Sequence, residues 1–289
     1  MAKAQPQERV GATIPPSPVP ARSIPKEQVE ADSFWVQFRY NTPVMQIDRK
    51  TCQAELEKYG LIPKKYHGQV FTVDGELIDQ FIDTVKSLYR PGTKIVEIGA
   101  GLGYISQKLA ENFDDIDCLE IDENMISILN KKFERFKNTK IIQEDILNYN
   151  TSSQEYLLVG NIPFHISGRL YRRFMSEEKH KPYGMVFITD KQYANTLMGQ
   201  PPRCYRVSLQ AQAYGDIKIV ADVPPSACYP EPKVMSCIMK ITRNSTPLPK
   251  NFWKVVNYHF ENFPTKEIKS PKTMNLQGWI KLAASEPGF

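Results

Sequence analysis

Short apolar runs alternate with amphipathic segments through the middle of the chain. Four runs have the length and continuity of buried strands in a parallel sheet, and they are residues 95–98, 117–121, 140–143 and 156–159. Three segments repeat apolar side chains every three or four positions, as amphipathic helices do, and they are residues 77–89, 104–113 and 123–136. Strands that alternate with helices predict an α/β fold on a mostly parallel sheet.

The first predicted strand runs directly into a glycine-rich turn. The ten residues that end at Gly103 are Lys-Ile-Val-Glu-Ile-Gly-Ala-Gly-Leu-Gly, with glycine also at Gly99 and Gly101. Glycine removes the Cβ where the backbone bends sharply and where a ligand lies against bare peptide groups. Dinucleotide binders usually have G-x-G-x-x-G, whereas Tyr104 stands at the place of their third glycine. This spacing, with Glu97 just before it, favours S-adenosylmethionine (SAM) over NAD; an ordinary tight turn is the alternative.

Acidic residues end the second predicted strand and follow the third. Glu120 lies about 20 residues beyond the glycines, where a Rossmann-type sheet places a carboxylate that accepts hydrogen bonds from both ribose hydroxyls. Asp145 emerges at a neighbouring carboxyl end, where it would accept a hydrogen bond from an adenine amino group. Ile121 and Ile146 would then enclose the adenine ring. The alternative for Glu120 is a solvated carboxylate at a strand end.

The fourth predicted strand leads into Asn161-Ile162-Pro163-Phe164. An exocyclic amine on adenine is a poor nucleophile because its lone pair is delocalised into the ring. The side-chain oxygen of Asn161 and the backbone carbonyl of Ile162 would accept its two N–H groups and favour a more tetrahedral nitrogen. Pro163 would hold these acceptors rigid and Phe164 would stack on the base, so catalysis would be mostly positioning. His165 is a candidate base, although a lone histidine is more often structural.

The start of the chain differs in composition from the rest. Residues 1–33 contain six prolines and almost no large apolar side chains, so we expect a disordered tail. A mitochondrial presequence is the alternative, although prolines would break the amphipathic helix that such a signal needs. Residues 34–62 contain aromatic side chains and a helix-like pattern at 52–59, which predicts an ordered extension packed on the core.

Composition narrows the class of protein. With 289 residues, 41% of them hydrophobic and 24% charged, the chain is typical of a globular protein, and no apolar run approaches the roughly 18 residues of a membrane helix. A net charge of +5 permits a polyanionic partner. The five cysteines form no C-x-x-C pair, so neither a zinc site nor a disulfide framework is indicated. We expect a monomer in a reducing compartment, the cytoplasm, without metal or membrane.

The motifs occur together in the order and spacing of a known family. The chain resembles the rRNA adenine N6-dimethyltransferases, the KsgA-type enzymes and their erythromycin-resistance relatives. The similarity covers about residues 64–242. It is carried by Gln69, residues 97–103, Glu120, Asp145, residues 161–164, residues 205–212 and the proline-rich residues 223–234.

The resemblance implies a Rossmann-like, SAM-dependent methyltransferase domain with a seven-stranded sheet over residues 63–243 and a short helical region over 244–289. It implies SAM as cofactor and an adenine of RNA, most simply ribosomal RNA, as the base that is dimethylated at N6. The target adenine would lie outside its helix, since its amine is otherwise paired.

The resemblance also assigns roles to single residues. Gln69 and the glycines would contact the methionine end of SAM, Glu120 the ribose and Asp145 the adenine. The target base would be held by Asn161, Ile162 and Phe164. On the bare sequence, Gln69 lies in a loop that feeds the helix at 77–89, and a purely structural loop is the alternative.

The chain departs from the family pattern at several places. Val70 stands where the family has asparagine, and Phe164 stands where tyrosine is commoner. The Arg-Arg-Lys signature of the C-terminal domain is absent, and the nearest stretch is residues 260–269. Other basic side chains are candidates for RNA phosphates, with solvated faces as the alternative. They are Arg169, Arg172, Arg173, Arg203, Arg206, Lys250, Lys254, Lys266, Lys269, Lys272 and Lys281.

Two other functions remain open at this point. A non-catalytic nucleic-acid-binding protein, like the mitochondrial transcription factors of this superfamily, is favoured by the missing signature and the extra N-terminus. It is opposed by the intact Glu120, Asp145 and residues 161–164. A methyltransferase acting on another amine is the second alternative, because substrate choice lies largely outside the motifs.

Overall fold

The apolar runs of the sequence form the central strands of the computed structural model. The described part of the chain contains β1 (Phe71–Thr72), β2 (Lys94–Ile98), β3 (Ile116–Glu120), β4 (Thr139–Gln143), β5 (Tyr156–Asn161), β6 (Gly184–Asp190), β7 (Gly215–Val223), β8 (Cys228–Tyr229) and β9 (Ser236–Arg243). The four strands predicted from apolar runs therefore coincide with β2, β3, β4 and β5 to within two residues at either end.

The helices lie between these strands and after them. They are α1 (Arg49–Lys58), α2 (Gly75–Lys86), α3 (Tyr104–Asn112), α4 (Glu123–Phe133), α5 (Ser167–Arg172), α6 (Lys191–Leu197), α7 (Arg206–Tyr214), α8 (Phe252–Asn262) and α9 (Leu276–Ser285). Side-chain caps set several of the starts: Asp74 accepts a hydrogen bond from Leu77 N at 3.0 Å before α2, and Asp122 accepts one from Asn124 N at 3.1 Å before α4.

The structure describes residues 47–64, 68–151, 153, 155–177, 181–244, 246–262 and 271–288. All the elements above belong to one unit, residues 45–289. The predicted tail at 1–33, residues 34–46 of the predicted extension and the candidate lysines Lys266 and Lys269 lie outside the described residues.

Seven strands form one sheet in the order β4-β3-β2-β5-β6-β9-β7. The first five strands in this order, from β4 to β6, are parallel to one another, and β9 is antiparallel to both β6 and β7. Parallel pairing places the carboxyl ends of β2, β3, β4 and β5 along one edge of the sheet, where α/β folds bind their ligands. The predicted α/β fold with a seven-stranded sheet is confirmed.

Apolar side chains fill both faces of this sheet. One core packs α2, α3 and α4 on the sheet through residues such as Phe81, Leu109 and Leu129. The other packs α5 and α7 on the opposite face through Tyr171 and Ala211. A third cluster around Trp279, Phe252 and Val255 joins α8 and α9 to α7, which gives the C-terminal helices a core of their own.

A second, two-stranded sheet pairs β1 with β8, with Phe71 opposite Tyr229 and Thr72 opposite Cys228. This pairing brings the proline-rich segment 223–234 against the strand that follows Gln69. Two motifs that lie more than 150 residues apart in the sequence therefore meet beside the carboxyl edge of the main sheet.

Helix α1 is the part of the N-terminal extension that the structure describes, and it packs on the main domain. It buries Cys52 and Leu56 in the first core. Its Glu55 carboxylate lies 2.5 Å from Lys132 Nζ and accepts a hydrogen bond from Tyr104 Oη at 3.0 Å. The same ammonium donates to the carbonyl of Leu102 at 2.7 Å. An ion pair with only 22% and 12% of its side chains exposed thus fastens α1 to the glycine-rich turn.

Candidate active site

A pocket opens at the carboxyl edge of the sheet, where β2, β3 and β5 end. It collects the predicted residues Gln69, Glu97, Gly99, Gly101, Glu120, Ile121, Asp145, Ile146, Asn161 and Pro163. Among the predicted catalytic and cofactor-binding residues, Gly103, Ile162 and Phe164 do not line it. The structure therefore brings together residues from five separate motifs.

The glycine turn has the backbone conformation that the sequence predicted. The φ angles of Gly99, Gly101 and Gly103 are +65°, +57° and +82°, in the left-handed region that favours glycine. A Cβ on Gly101 would lie 2.9 Å from the ring of Phe71, whereas a Cβ on Gly103 would lie 2.9 Å from Leu129. Gly101 thus keeps the pocket open, and Gly103 lets α3 and α4 pack closely.

Glu120 ends β3 and organises the turn. Its Oε2 accepts a hydrogen bond from Gly101 N at 2.9 Å, and its Oε1 accepts from Ile121 N at 2.8 Å and Asp122 N at 3.0 Å. A carboxylate offers about four acceptor positions, so about one remains for a ligand hydroxyl. Glu120 is therefore both a wall of the pocket and a support of the glycine turn, a second role that its position in the sequence did not reveal.

Glu97 lies at the floor of the pocket and is 1% exposed. Burial raises the pKa of its carboxyl to about 7, with the neighbouring Ser106 hydroxyl and Cys118 thiol opposing and the charge of Glu120 adding to the shift. Among the described residues, no donor or acceptor reaches its Oε2. Because Glu97 also lines the pocket, an unpaired carboxylate oxygen at this position fits a cationic cofactor such as SAM.

Glu97→Gln is expected to change how stability depends on pH. Because the folded pKa of about 7 exceeds the ordinary value of 4.5, the protonated carboxyl stabilises the fold below pH 4.5, and this contribution is lost as pH rises to 7. At about 1.4 kcal/mol per pKa unit, the free energy of unfolding of the wild type should fall by roughly 3 kcal/mol more than that of the variant between pH 4 and pH 8. Urea unfolding of both proteins at these pH values measures it; parallel curves would contradict the assignment.

Gln69 lines the pocket, but its amide is engaged with the protein. Its Oε1 accepts a hydrogen bond from Lys64 N at 2.8 Å, and its Nε2 donates to Asp122 Oδ2 at 2.7 Å. Asp122, 2% exposed, also faces the ammonium of Lys64 at 2.9 Å, and these donors hold the pKa of its carboxyl below the usual range against burial. The geometry makes Gln69 a bridge between the segment before β1 and the end of β3.

Asn161 ends β5 with its side-chain amide held at one end. Its Nδ2 donates to the carbonyl of Val70 at 2.7 Å and lies 3.4 Å from Thr72 Oγ1. A carbonyl only accepts, so the amide NH₂ must face Val70 and Oδ1 must face away from it. In the described ranges, no protein donor engages Oδ1. Val70 supports Asn161 through its backbone, which any residue provides, so the loss of the family's asparagine leaves this contact intact.

The residues after Asn161 form a short, rigid turn. Ile162 is 1% exposed and its N donates to the Ile188 carbonyl at 2.9 Å, which ties the turn to β6. Phe164 is 37% exposed at the rim. A Cβ on Gly68 would lie 2.8 Å from Pro163 and 3.2 Å from the His165 ring, so glycine at 68 permits this close packing. The His165 ring therefore packs closely against Gly68.

The adenine end of the predicted cofactor site lies on the loop after β4. Asp145 Oδ1 accepts a hydrogen bond from Leu147 N at 2.9 Å, and its side chain is otherwise exposed to the pocket. Ile146 is 4% exposed and Ile121 46% exposed, and both line the pocket. These three side chains offer the apolar walls and the single acceptor that an adenine ring requires.

The five candidate RNA-binding arginines fall into different environments. Arg169 is exposed on α5 and also lines the pocket, while Arg172, Arg203 and Arg206 are exposed elsewhere. Arg173 is half-buried and donates to backbone carbonyls of the loop after β4: Ile146 at 3.2 Å, Tyr149 at 2.6 Å, and also Leu147. The guanidinium therefore holds the loop after β4, and a role of Arg173 in binding RNA stays a prediction.

Several lining residues carry no motif that the sequence revealed. Phe71, Thr72, Ile105, Leu119, Glu144 and Ile166 all contribute to the pocket wall. Most are apolar residues at strand or helix ends, and their sequence pattern is the same as that of core residues. The one signal in the sequence that could have identified them is their closeness to Gly101, Glu120 and Asp145.

Comparison with known proteins decides among the functions left open. A family model described as ribosomal RNA adenine dimethylase matches residues 62–274, more than two thirds of the chain. The chain belongs to the ribosomal RNA adenine dimethylase family. The match continues past residue 242, where the similarity of the motifs was expected to end, and so includes α8.

Curated relatives and solved structures agree with this family. Two proteins named ribosomal RNA small subunit methyltransferase A are each 30% identical to the chain. The one from Dehalococcoides mccartyi aligns over 67% of this chain and 67% of the relative, and the one from Streptococcus mutans over 70% and 72%. The structures of a dimethyladenosine transferase from Plasmodium falciparum (TM-score 0.60, 17% identical, 74% of this chain and 96% of that one) and of the 23S rRNA methyltransferase ErmE (TM-score 0.62, 18%, 74% and 98%) share the fold.

As a member of the dimethylase family, the chain is an enzyme that uses SAM to methylate adenine in ribosomal RNA. The predicted enzyme class, cofactor and RNA substrate are confirmed. Within the described ranges, no helix is long and apolar enough to cross a membrane, and no group of three or more His, Cys, Asp or Glu side chains could hold a metal ion.

Arg173→Lys is expected to weaken SAM binding about 5- to 20-fold. Lysine keeps the charge, but its compact ammonium lacks the planar fork with which the guanidinium reaches the carbonyls of residues 146, 147 and 149, so the loop that carries Asp145 and Ile146 loses support. Calorimetric titration with SAM measures the affinity. The control is Arg172→Lys, the same change on the exposed neighbouring residue, which should leave the affinity within twofold; an equal effect of both changes would contradict a role specific to Arg173.

Proposed function

We propose that this enzyme transfers methyl groups from SAM to N6 of an adenine in small-subunit ribosomal RNA, with Asn161 and Ile162 holding the amine. The observation that carries the proposal is the orientation of the Asn161 amide. Its NH₂ is fixed by the Val70 carbonyl, which leaves Oδ1 facing the pocket as an acceptor. The bacterial relatives named small subunit methyltransferase A supply the choice of ribosomal subunit.

The Ile162 carbonyl is the proposed second acceptor for the amine. In the part of the chain that the structure describes, no backbone N–H donates to it, and Pro163, which fixes its own φ, follows it directly. Two acceptors on the two N–H groups favour a pyramidal nitrogen, whose lone pair is then less delocalised into the ring. Phe164, exposed at the rim, is placed to stack on the base and so to align that lone pair.

The cofactor pocket would hold SAM through groups that the chain already orients. Glu120 would accept one ribose hydroxyl with its remaining position, and Asp145 would accept from the adenine amine. Glu97 and the bare backbone of Gly99 and Gly101 would face the methionine end. The sulfonium of SAM supplies an activated methyl group, so the protein's task is to align the amine with that methyl and to exclude water.

We also infer a monomeric enzyme in a reducing compartment. A reducing compartment agrees with the five cysteines, which are buried, unpaired thiols. Light scattering of the purified protein would measure the mass of the particle; a stable dimer would contradict the first part of this inference.

The function is tested by incubating the protein with methyl-labelled SAM and ribosomal RNA from each subunit, naked and in immature particles. Label on N6 of a defined small-subunit adenine is the expected result. Label on large-subunit RNA would overturn the choice of subunit. SAM binding without label on any RNA would point to another amine, and a protein that binds RNA but not SAM would restore the non-catalytic alternative.

A further inference from the structure

A second cavity, of about 410 Å³, lies far from the cofactor pocket. It is bounded by the segment before β6, the end of β9, helices α7 and α8, and the segment between β9 and α8. Its polar lining is Lys181, Arg206, Gln210, Arg243, Thr246 and Asn257. Cavities of this size commonly accept a ligand as large as a nucleotide.

Three cations converge on this cavity without a neutralising carboxylate. In the described ranges, no Asp or Glu lines it, and none lies within 4.0 Å of the charged groups of Lys181, Arg206 or Arg243. Each is oriented by a neutral oxygen: Lys181 Nζ donates to the Met175 carbonyl at 2.9 Å, Arg243 to the Lys181 carbonyl at 2.8 Å, and Arg206 to Asn257 Oδ1 at 3.2 Å.

Like charges held together in a half-buried site repel one another, so the binding of an anion between them is favourable. Lys181 has its pKa lowered, first by burial and then by the charge of Arg243. Each cation still has N–H groups to donate, since lysine carries three and arginine five. A phosphate group provides both the negative charge and the acceptor oxygens that these donors require.

One wall of the cavity is aromatic. Trp253 lines it, is half-buried, and is held edge-on by Phe252 at a ring distance of 4.8 Å and an interplanar angle of 85°. Gln210 and Asn257 add amides to the same lining. A flat apolar surface beside cations and amides suits a nucleobase attached to a phosphate better than a phosphate alone.

The cavity and the cofactor pocket lie at opposite edges of the sheet. Asn161 pairs with Ile188 near the end of β6, whereas Lys181 precedes the start of β6 and Arg243 ends the antiparallel β9. Lys181 and Ile188 are seven positions apart along a segment that enters β6 at Gly184, which corresponds to roughly 20 Å if the segment is extended. The cavity is therefore separate from the site that holds the target adenine.

We propose that this cavity binds one nucleotide of the RNA substrate away from the target adenine, with its phosphodiester on Lys181, Arg206 and Arg243 and its base on Trp253. The identity of the ligand as RNA rests on the proposed function. The cavity would thus anchor the RNA at a distance from the methylated base, without contributing to the chemistry.

The test measures binding of a ribosomal RNA fragment by fluorescence anisotropy at several salt concentrations. Lys181→Gln combined with Arg206→Gln should weaken binding roughly tenfold and reduce the slope of log K against log salt by about 0.7, the value for one phosphate contact on a single strand. The control, Lys131→Gln with Arg135→Gln, removes the same charge from exposed positions that neither line the cavity nor belong to the candidate RNA contacts, and it should change neither. Unchanged melting temperatures establish that both variants fold.

Photocrosslinking of thiouridine-substituted RNA, followed by mass spectrometry, should place a nucleotide on the peptide that contains Trp253. Equal salt slopes for the cavity variant and its control would overturn the proposal. The proposal would also be overturned if AMP bound to the cavity of the SAM-saturated protein while the cavity variant bound RNA as well as the wild type does. The site would then serve a free nucleotide. A wild-type protein that binds no RNA would instead refute the proposed function.

Discussion

Asn161→Ala should lower the rate of methyl transfer by about 100- to 1,000-fold while SAM affinity stays within about twofold. The change removes the Oδ1 acceptor that we assign to the adenine amine, and stabilising hydrogen bonds of this kind are commonly worth that factor. The contact of Asn161 with the Val70 carbonyl lies on the side of β1, away from Glu120 and Asp145. Single-turnover assays with labelled SAM measure the rate, and calorimetry measures the affinity.

Thr72→Val is the matched control for Asn161. Thr72 Oγ1 lies 3.4 Å from the same Nδ2, so valine removes a weak contact and leaves both Oδ1 and the Val70 bond in place. The rate should change by less than fivefold. Full turnover by Asn161→Ala would remove this residue from the reaction, and an equal loss in both variants would indicate that only the packing of β1 matters.

Glu120→Ala is expected to weaken SAM binding about 10- to 100-fold and to lower the free energy of unfolding by about 4.5 kcal/mol or more. Both effects follow from its three bonds to the N–H groups of Gly101, Ile121 and Asp122, since hydrogen bonds to a charged group contribute about 1.5 to 3 kcal/mol each. The stability loss was not predictable from a role in ribose binding alone. Calorimetric titration and urea unfolding measure the two quantities.

Glu120→Gln separates these two contributions. Its amide oxygen can still accept from Ile121 and Asp122, whereas its NH₂ cannot accept from Gly101, so about half the stability should return. SAM affinity should recover less, because the ribose hydroxyl would meet the same NH₂. A stable Glu120→Ala protein with normal SAM affinity would show that the carboxylate serves neither role.

The elements and their order could be predicted because local patterns determine them. The run 95–98, the glycines after it and the amphipathic stretch from Tyr104 each occupy one continuous segment, and the structure places β2, the turn and α3 there. Parallel pairing places the carboxyl ends of the strands along one edge of the sheet. Glu120, Asp145 and Asn161 could therefore be predicted to lie together at that edge.

The partners of the polar side chains could not be predicted, because they are separated widely in sequence. Gln69 bonds to Asp122, and Arg173 bonds to the carbonyls of residues 146–149. Nothing in the residue types distinguishes an arginine that supports a loop from one that contacts phosphate. The same limit applies to the cavity at Lys181 and Arg243, which are 62 residues apart and converge only through β6 and β9.

The ion pair between Glu55 and Lys132 shows that the boundary of family similarity is not a folding boundary. The family match begins at residue 62, after α1 has ended. In a protein shortened to begin at that residue, the half-buried Lys132 ammonium would lose its carboxylate partner. The Leu102 carbonyl would then accept its hydrogen bond from a lysine that Glu55 no longer holds in place. The glycine turn would then lose support from a helix that lies outside the part of the chain that the family model matches. The unit that folds and holds the turn in place is therefore larger than the matched region.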